Sequence, residues 1–318
     1  MGFWHAYAGS HAEEGLTILP LPAAPIQVSK SIKTLSQEDY NQLILFWKEY
    51  FGSPPRTPAL LVRLEWLTAD AVTGNFAFRL HGWKGVVYGR RIGNLSLERE
   101  KSKIETYLIE GLTLKPEERQ KGLTPLLLDA CVAHLQRSLP SARFLFLKEG
   151  KKAPTDALAS DMYLYRRLRT DSRWEKPTKA IKPEDAKALF QELVASRRTT
   201  GSQESWLTND FGLPNSRTKF YMSRCRNALM AVTETHQVHP LDGQRLGLIT
   251  GFICAAALEQ SAALQEELLA AQPYVWIWSP SSYVSDPAQW LQDGLISWQP
   301  FLFTVKPQVK MANIFLAL

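Results

Sequence analysis

The stretch from Glu110 to Gln136, E-G-L-T-L-K-P-E-E-R-Q-K-G-L-T-P-L-L-L-D-A-C-V-A-H-L-Q, does most to narrow what this chain can fold into. An apolar run from Tyr107 to Leu114 predicts a strand that leads into it. The polar residues Lys115 to Lys121 predict a turn. Leu123, Leu126, Leu127 and Ala130 then recur at the spacing of one buried helix face. A strand, a tight turn and a helix in that order place free backbone N–H groups and the positive end of a helix dipole at the turn. That is a setting for a phosphate. Gly122 permits close backbone approach there, and Arg119 and Lys121 add positive charge. Taken on its residues alone, the stretch reads equally well as a structural connection with a solvated basic turn.

Length and composition bound the rest. With 318 residues the chain can form one large or two ordinary domains with an ample core. It is 45% hydrophobic and 21% charged, which is a globular balance. No uncharged apolar run reaches the ~18 residues of a membrane span. The first residues lack the basic start and apolar run of a secretory signal, so a cytoplasmic protein is expected. Met1-Gly2 is followed by Ala6, where a lipidation motif needs Ser or Thr. Cys131, Cys225 and Cys254 are scattered in apolar surroundings and read as reduced core thiols. No Cys/His spacing suggests a metal. The formal charge of +6 suits a phosphate-bearing ligand, but no Lys/Arg block is dense enough for nucleic acid.

Along the chain, Ser36-Gln37-Glu38-Asp39 predicts a capped helix to about Phe51, with Tyr40, Leu43, Ile44, Trp47 and Tyr50 as its apolar stripe. Strands are predicted at Phe76–Leu80, Val86–Ile92, Ile104–Leu114 and Arg143–Leu147, and a helix over Ala157–Leu168. Pro183-Glu184-Asp185 opens a second helix to about Ala195. Strands follow at Ala228–Thr233, Leu246–Leu258 and Tyr274–Trp278, a short helix at Asp286–Gln292, and strands at Gln299–Val305 and Ala312–Leu318. The order helix, strands, strand–turn–helix occurs twice, faintly, with a join near residue 175. An apolar terminus such as Ile314 to Leu318 would bury its carboxylate, and a buried carboxylate needs a partner or a purpose.

R-x-x-G-x-T from Arg119 to Thr124, after L-x-P-E-x-R, resembles the acyl-CoA-binding motif of GNAT acyltransferases. Thr124 stands where Gly or Ala is usual. The following Pro125, and an ungapped register from Glu110 to Leu128, resemble the N-myristoyltransferase branch of that superfamily. Phe3-Trp4 resembles the family's segment that lies against the acyl-CoA. M-Y-L-Y-R-R-L-R, ending at Arg169, and Trp174-Glu175-Lys176-Pro177-Thr178 resemble segments of its peptide site. The family's acidic run after the first helix is missing, and Arg169 stands where an Asn helps hold the substrate amine.

The resemblance implies an α/β fold of two tandem GNAT-like halves, related by a pseudo-twofold around a mixed sheet. Residues 1–173 would hold acyl-CoA and residues 174–318 the peptide. It implies a monomeric enzyme, without metal, that moves a myristoyl group from myristoyl-CoA to an N-terminal glycine. In that reading the Leu318 carboxylate is the base, and the backbone amides of Gly111 and Leu112 form an oxyanion hole. Phe3, Trp4, Thr113, Leu114, Arg119, Gln120, Lys121, Gly122, Leu123, Thr124 and Pro125 would contact the acyl-CoA. Thr178 and Arg169 would meet the peptide. Another GNAT-type N-acetyltransferase, or a degenerate fold kept for binding, stays open at this point.

Overall fold

A computed structural model of the chain describes residues 26–27, 36–51, 64–97, 103–124, 127–128, 131, 133, 137, 139–150, 157–168, 180–199, 204–238, 244–301 and 309–318. Helix α1 (Gln37–Tyr50) begins where the sequence predicts. The Ser36 hydroxyl accepts the Asp39 N–H, and the Asp39 carboxylate accepts the Ser36 N–H, a reciprocal capping box. Its buried face is Tyr40, Leu43, Phe46 and Trp47. Helix α2 (Leu64–Thr73) follows, then an antiparallel meander of β2 (Asn75–Leu80), β3 (Gly85–Leu97) and β4 (Lys103–Leu114). A two-residue strand, β1 (Ile26–Gln27), pairs with the outer edge of β2. Leu123, Thr124, Leu127, Leu128, Cys131, Ala133 and Arg137 are helical, and β5 (Arg143–Gly150) returns parallel to β4.

The second half repeats this plan. Helix α3 (Pro183–Thr199) precedes a meander of β9 (Thr218–Met222), β10 (Ala228–Val238) and β11 (Arg245–Cys254). Helix α4 (Leu258–Ala270) then leads to β12 (Trp276–Pro280), parallel to β11. Each half closes with a strand given to the other. β6 (Ala159–Arg167) pairs with β12, and β13 (Leu291–Phe301) pairs with β5, while β6 and β13 pair with each other. The sheet therefore reads β1-β2-β3-β4-β5-β13-β6-β12-β11-β10-β9-β7, with β7 (Ala180–Ile181) at its far edge. This is a mixed α/β sheet with a pseudo-twofold relation whose axis lies between β13 and β6. β8 (Leu207–Thr208) bridges β3 to β14 (Ile314–Phe315), off the main path.

The core at this centre draws on both halves. Leu95, Leu108 and Leu145 pack with Leu246, Leu248 and Ile296, and the last residues Leu316 and Leu318 belong to the same cluster. Burial against both halves makes the terminal segment part of the core rather than a fraying end.

Four local expectations are corrected. Ala157–Leu168 is strand β6, not a helix. The strand is paired on both edges and covered in part on both faces, so its pattern lacks clean alternation. The apolar run from Leu246 stops as strand at Cys254, and helix α4 starts at Leu258. Asp286–Gln292 yields only a three-residue 3-10 turn, Pro287–Gln289, capped by Asp286, before β13 begins at Leu291. Cys225 is exposed in the turn between β9 and β10, unlike buried Cys131 and Cys254. Among the described residues, no helix is long and apolar enough to cross a membrane.

Candidate active site

The site begins with a fault in β4. Its register against β3 runs Leu114 to Gly85 and Thr113 to Val86, then resumes at Glu110 opposite Tyr88, so Val87 alone faces both Gly111 and Leu112. Such a bulge leaves residues unpaired and re-aims the strand. On its other edge β4 pairs with β5 only as far as Ile109 opposite Phe146. Gly111 and Leu112 thus lie outside the register of both neighbours. Gly111 adopts φ 64°, and a Cβ placed there would stand 2.5 Å from the Trp47 ring. Its carbonyl accepts the Trp47 indole N–H at 2.8 Å and the Thr113 hydroxyl at 3.1 Å. The bulge is therefore held by α1, and only glycine fits its first position.

Where β4 and β5 part, a cavity of about 310 Å³ opens. Leu108, Ile109, Phe146 and Leu147 give it an apolar side, Gly111 and Leu112 line its rim, and Leu318 lies across it.

In the second half the matching wedge is filled. The parallel pairing of β11 with β12 ends at Leu248 opposite Trp278. Beyond it the terminal segment takes the ladder's place. Leu316 N–H donates to the Thr250 carbonyl at 3.1 Å, and the Thr250 hydroxyl donates to the Leu316 carbonyl at 2.7 Å. The Asn209 side chain accepts from Ala317 N–H and donates to its carbonyl, at 2.7 and 2.8 Å. Phe315 stacks at 5.6 Å on Phe211, which stacks at 5.2 Å on Phe220. Leu318 is 3% exposed. Its oxygen accepts the Arg217 backbone N–H at 2.6 Å and the hydroxyls of Thr218 at 2.9 Å and Ser216 at 3.2 Å. Its N–H donates to the Thr218 hydroxyl at 2.7 Å, which lies 2.7 Å from that of Thr233.

A buried charged layer joins the two walls. Asp70 on α2 receives Arg217 Nη2 at 2.8 Å, the Tyr88 hydroxyl at 2.9 Å and the Asn215 amide at 3.1 Å. Glu110 Oε1, the residue just before the bulge, receives Arg217 Nη1 at 3.2 Å and Arg90 Nε at 3.1 Å. The Arg217 guanidinium also sits 5.0 Å over the Trp66 ring. Burial alone would favour a neutral Arg90, but the charges of Glu110 and Asp70 outweigh it and raise its pKa. Burial, and then the Asp70 charge, push the Tyr88 hydroxyl well above its ordinary value, so it stays a donor to Asp70.

The turn after β4 carries the basic motif. Arg119 folds back on the scaffold, donating from Nε to the Leu114 carbonyl at 3.2 Å and from Nη2 to the Tyr50 carbonyl at 2.9 Å. Gln120 and Gly122 both take left-handed conformations, φ 64° and 70°. Nothing lies within 4 Å of a Cβ built on Gly122, and Lys121 is exposed. Lys121 and Lys84 reach Glu118 at 3.3 and 3.5 Å. Desolvation raises the Glu118 pKa, but the two lysines lower it further, for a net decrease. Leu123 and Thr124 are already helical. An open turn of left-handed residues before a helix start is an anion-binding geometry.

No protein-family sequence model matches the chain, and no curated protein sequence matches it. Solved structures do. A Saccharomyces cerevisiae N-myristoyltransferase with bound myristoyl-CoA superposes with a TM-score of 0.61 at 12% identity, over 91% of this chain and 85% of that one. A second structure of that enzyme with myristoyl-CoA gives 0.63 at 11%, over 91% and 81%. A third, with myristoyl-CoA and inhibitors, gives 0.61 at 13%, over 91% and 82%. The chain has the N-myristoyltransferase fold.

Within this N-myristoyltransferase fold, Gly111, Leu112 and Leu318 come together at one cavity. Thr113 and Leu114 follow the bulge, both buried, and Arg119 to Thr124 form the exposed turn and helix start. Phe3, Trp4, Pro125, Arg169 and Thr178 lie outside the described residues. Sequence reasoning placed Trp47 only in an apolar stripe and missed Asp70, Arg90 and Arg217. Arg217 lies 147 positions from Asp70, so no spacing rule could join them.

Proposed function

We propose that the protein is a cytoplasmic, monomeric N-acyltransferase that moves a myristoyl group from myristoyl-CoA to the N-terminal glycine of peptides and proteins. Residues 1–173 hold the acyl-CoA and residues 174–318 the peptide. The observation that carries this reading is the meeting of Gly111, Leu112 and Leu318 at one cavity, at the end of the strand that leads to the Arg119–Thr124 turn. Gly122 and its neighbours hold the phosphates through backbone N–H groups, and the apolar wall between β4 and β5 takes the acyl chain.

The Leu318 carboxylate removes a proton from the incoming ammonium. An α-amine has a pKa of about 7.7–8.0, so a modest base suffices. The free amine attacks the thioester carbonyl, and the developing oxyanion is received by the Gly111 and Leu112 amides. One such donor is worth about 3–4 kcal/mol in a comparable site. The C–S bond then breaks, the amide remains, and the amine's second proton leaves with the CoA thiol. Counting Asp70, Glu110, Glu234 and the Leu318 carboxylate against Arg90, Arg217 and Arg245, the charge around the cavity is one negative in excess, which favours a cationic acceptor.

The test is turnover of a glycine-starting peptide with acyl-CoA donors of graded length, followed by mass spectrometry. Transfer of the myristoyl group to the terminal amine is expected. Saturating turnover with acetyl-CoA and none with myristoyl-CoA would make it a different acyltransferase. Failure to bind any acyl-CoA would make it a binding protein on the same fold.

A further inference from the structure

We propose that Arg217 is a positioning residue that fixes the base and the oxyanion bulge relative to each other, an inference that rests on the transferase reading above. Its two ends do different things. Its main-chain N–H holds the Leu318 oxygen at 2.6 Å, from the second half of the chain. Its guanidinium reaches into the first half, to Asp70 at 2.8 Å and to Glu110 at 3.2 Å. Glu110 is bonded directly to Gly111, so the contact ends one peptide from the proposed oxyanion donors. Arg217 side-chain exposure is 4% and that of Asp70 is 0%. A guanidinium so buried, between two carboxylates on different elements, has a planar fork that sets both distances at once. The flanking Ser216 and Thr218 hydroxyls hold the same Leu318 oxygen, so residues 216–218 form one cradle anchored by the Arg217 side chain.

Catalytic geometry must be held to within about 0.5 Å, and loss of about 1 Å can cost about a hundredfold in rate. Arg217 never needs to touch substrate to matter in this way. The charged groups facing the Leu318 end come from several elements. They are Asp70 on α2, Arg90 on β3, Glu110 on β4, and Glu234 on β10, which is paired at 3.4 Å with Arg245 on β11. Removing the Arg217 charge leaves Asp70 and Glu110 under-compensated, so the Leu318 carboxylate becomes harder to ionise.

The experiment labels leucine carbonyl carbons with carbon-13 and follows the terminal carboxylate of the full chain through a pH titration by NMR. Arg217→Met should move that titration upward by about one pH unit, and Arg217→Lys should return most of the shift. The paired variant Asp70→Asn/Arg217→Met loses one charge of each sign, and serves if the single variant does not fold. Its titration should shift less than that of the single variant, because the Asp70 charge is lost with the Arg217 charge. In turnover, Arg217→Met and the paired variant should lower kcat at least tenfold with KM for acyl-CoA within about twofold, and Arg217→Lys should recover only part of kcat. An unshifted terminal carboxylate in Arg217→Met, or an unchanged kcat in the paired variant where the single variant does not fold, would overturn the inference. A shifted carboxylate in a wild-type chain that transfers no acyl group would retain Arg217 as the fixer of the terminus and remove the transferase reading instead.

Discussion

The indole N–H of Trp47 donates to the Gly111 carbonyl at 2.8 Å, across 64 positions of sequence, and so decides which way the β4 bulge opens. That contact fixes the peptide between Gly111 and Leu112, the two residues of the bulge that line the cavity. Trp47→Phe keeps the edge packing on Tyr88 at 5.6 Å but removes the donor. The expected cost is about 1 kcal/mol of stability by urea denaturation. A larger fractional loss is expected in kcat than in acyl-CoA affinity.

The terminal segment is seated by Phe315, which is fully buried against Phe211 and Phe220. Phe315→Ala should cost about 3–5 kcal/mol, as for other large aromatic truncations in a core. It should also lower turnover by loosening Leu318. Chemical denaturation and kcat measured on the same preparation check both effects.

The Gly122 turn predicts a binding defect beside a limited backbone-strain cost. A side chain there meets no neighbour, but φ 70° disfavours any β-branched residue. Gly122→Val should raise the acyl-CoA Kd about tenfold, equivalent to about 1.4 kcal/mol, by displacing the phosphate-facing N–H groups. Its stability in urea should fall by the roughly 1–3 kcal/mol of a β-branched residue held at positive φ, whereas Gly111→Ala has the Trp47 ring in its way as well.

Alkaline pH should destabilise the fold over a defined window. Burial, with the Glu105 charge adding to it, pushes the Tyr107 hydroxyl up to about 12, and burial does the same for Tyr221. In the unfolded chain both titrate near 10. A folded pKa above the unfolded one gives stability that is complete below pH 10 and is lost as pH rises toward 12. Denaturation midpoints should be lower at pH 11 than at pH 9, and Tyr107→Phe should flatten the decline.

Local signals made much of this fold legible. Ser36 and Asp39 announced α1, Pro183-Glu184-Asp185 announced α3, and the strand–turn–helix around Gly122 appears where the spacing placed it. β6 was not legible, because a strand paired on both edges, with Met162 exposed and Tyr163 and Leu164 buried, breaks the period of two. Helix α4 was hidden behind the apolar end of β11. Leu318 could be proposed as a base because the family resemblance implied it, and the apolar terminus implied its burial. Its three donors, and the Asp70–Arg217–Glu110 bridge beneath them, depend on contacts a hundred and more positions apart, which no window of sequence contains.

In the proposed mechanism Leu318 takes the acceptor's proton at the cavity it lines. Turnover and myristoyl-CoA binding should be compared in the 318-residue chain and in one with a few residues appended after Leu318. Binding within about twofold and a kcat lowered at least a hundredfold are expected, because the base becomes a neutral amide and its cradle must reopen. Equal turnover by the two chains would contradict the account.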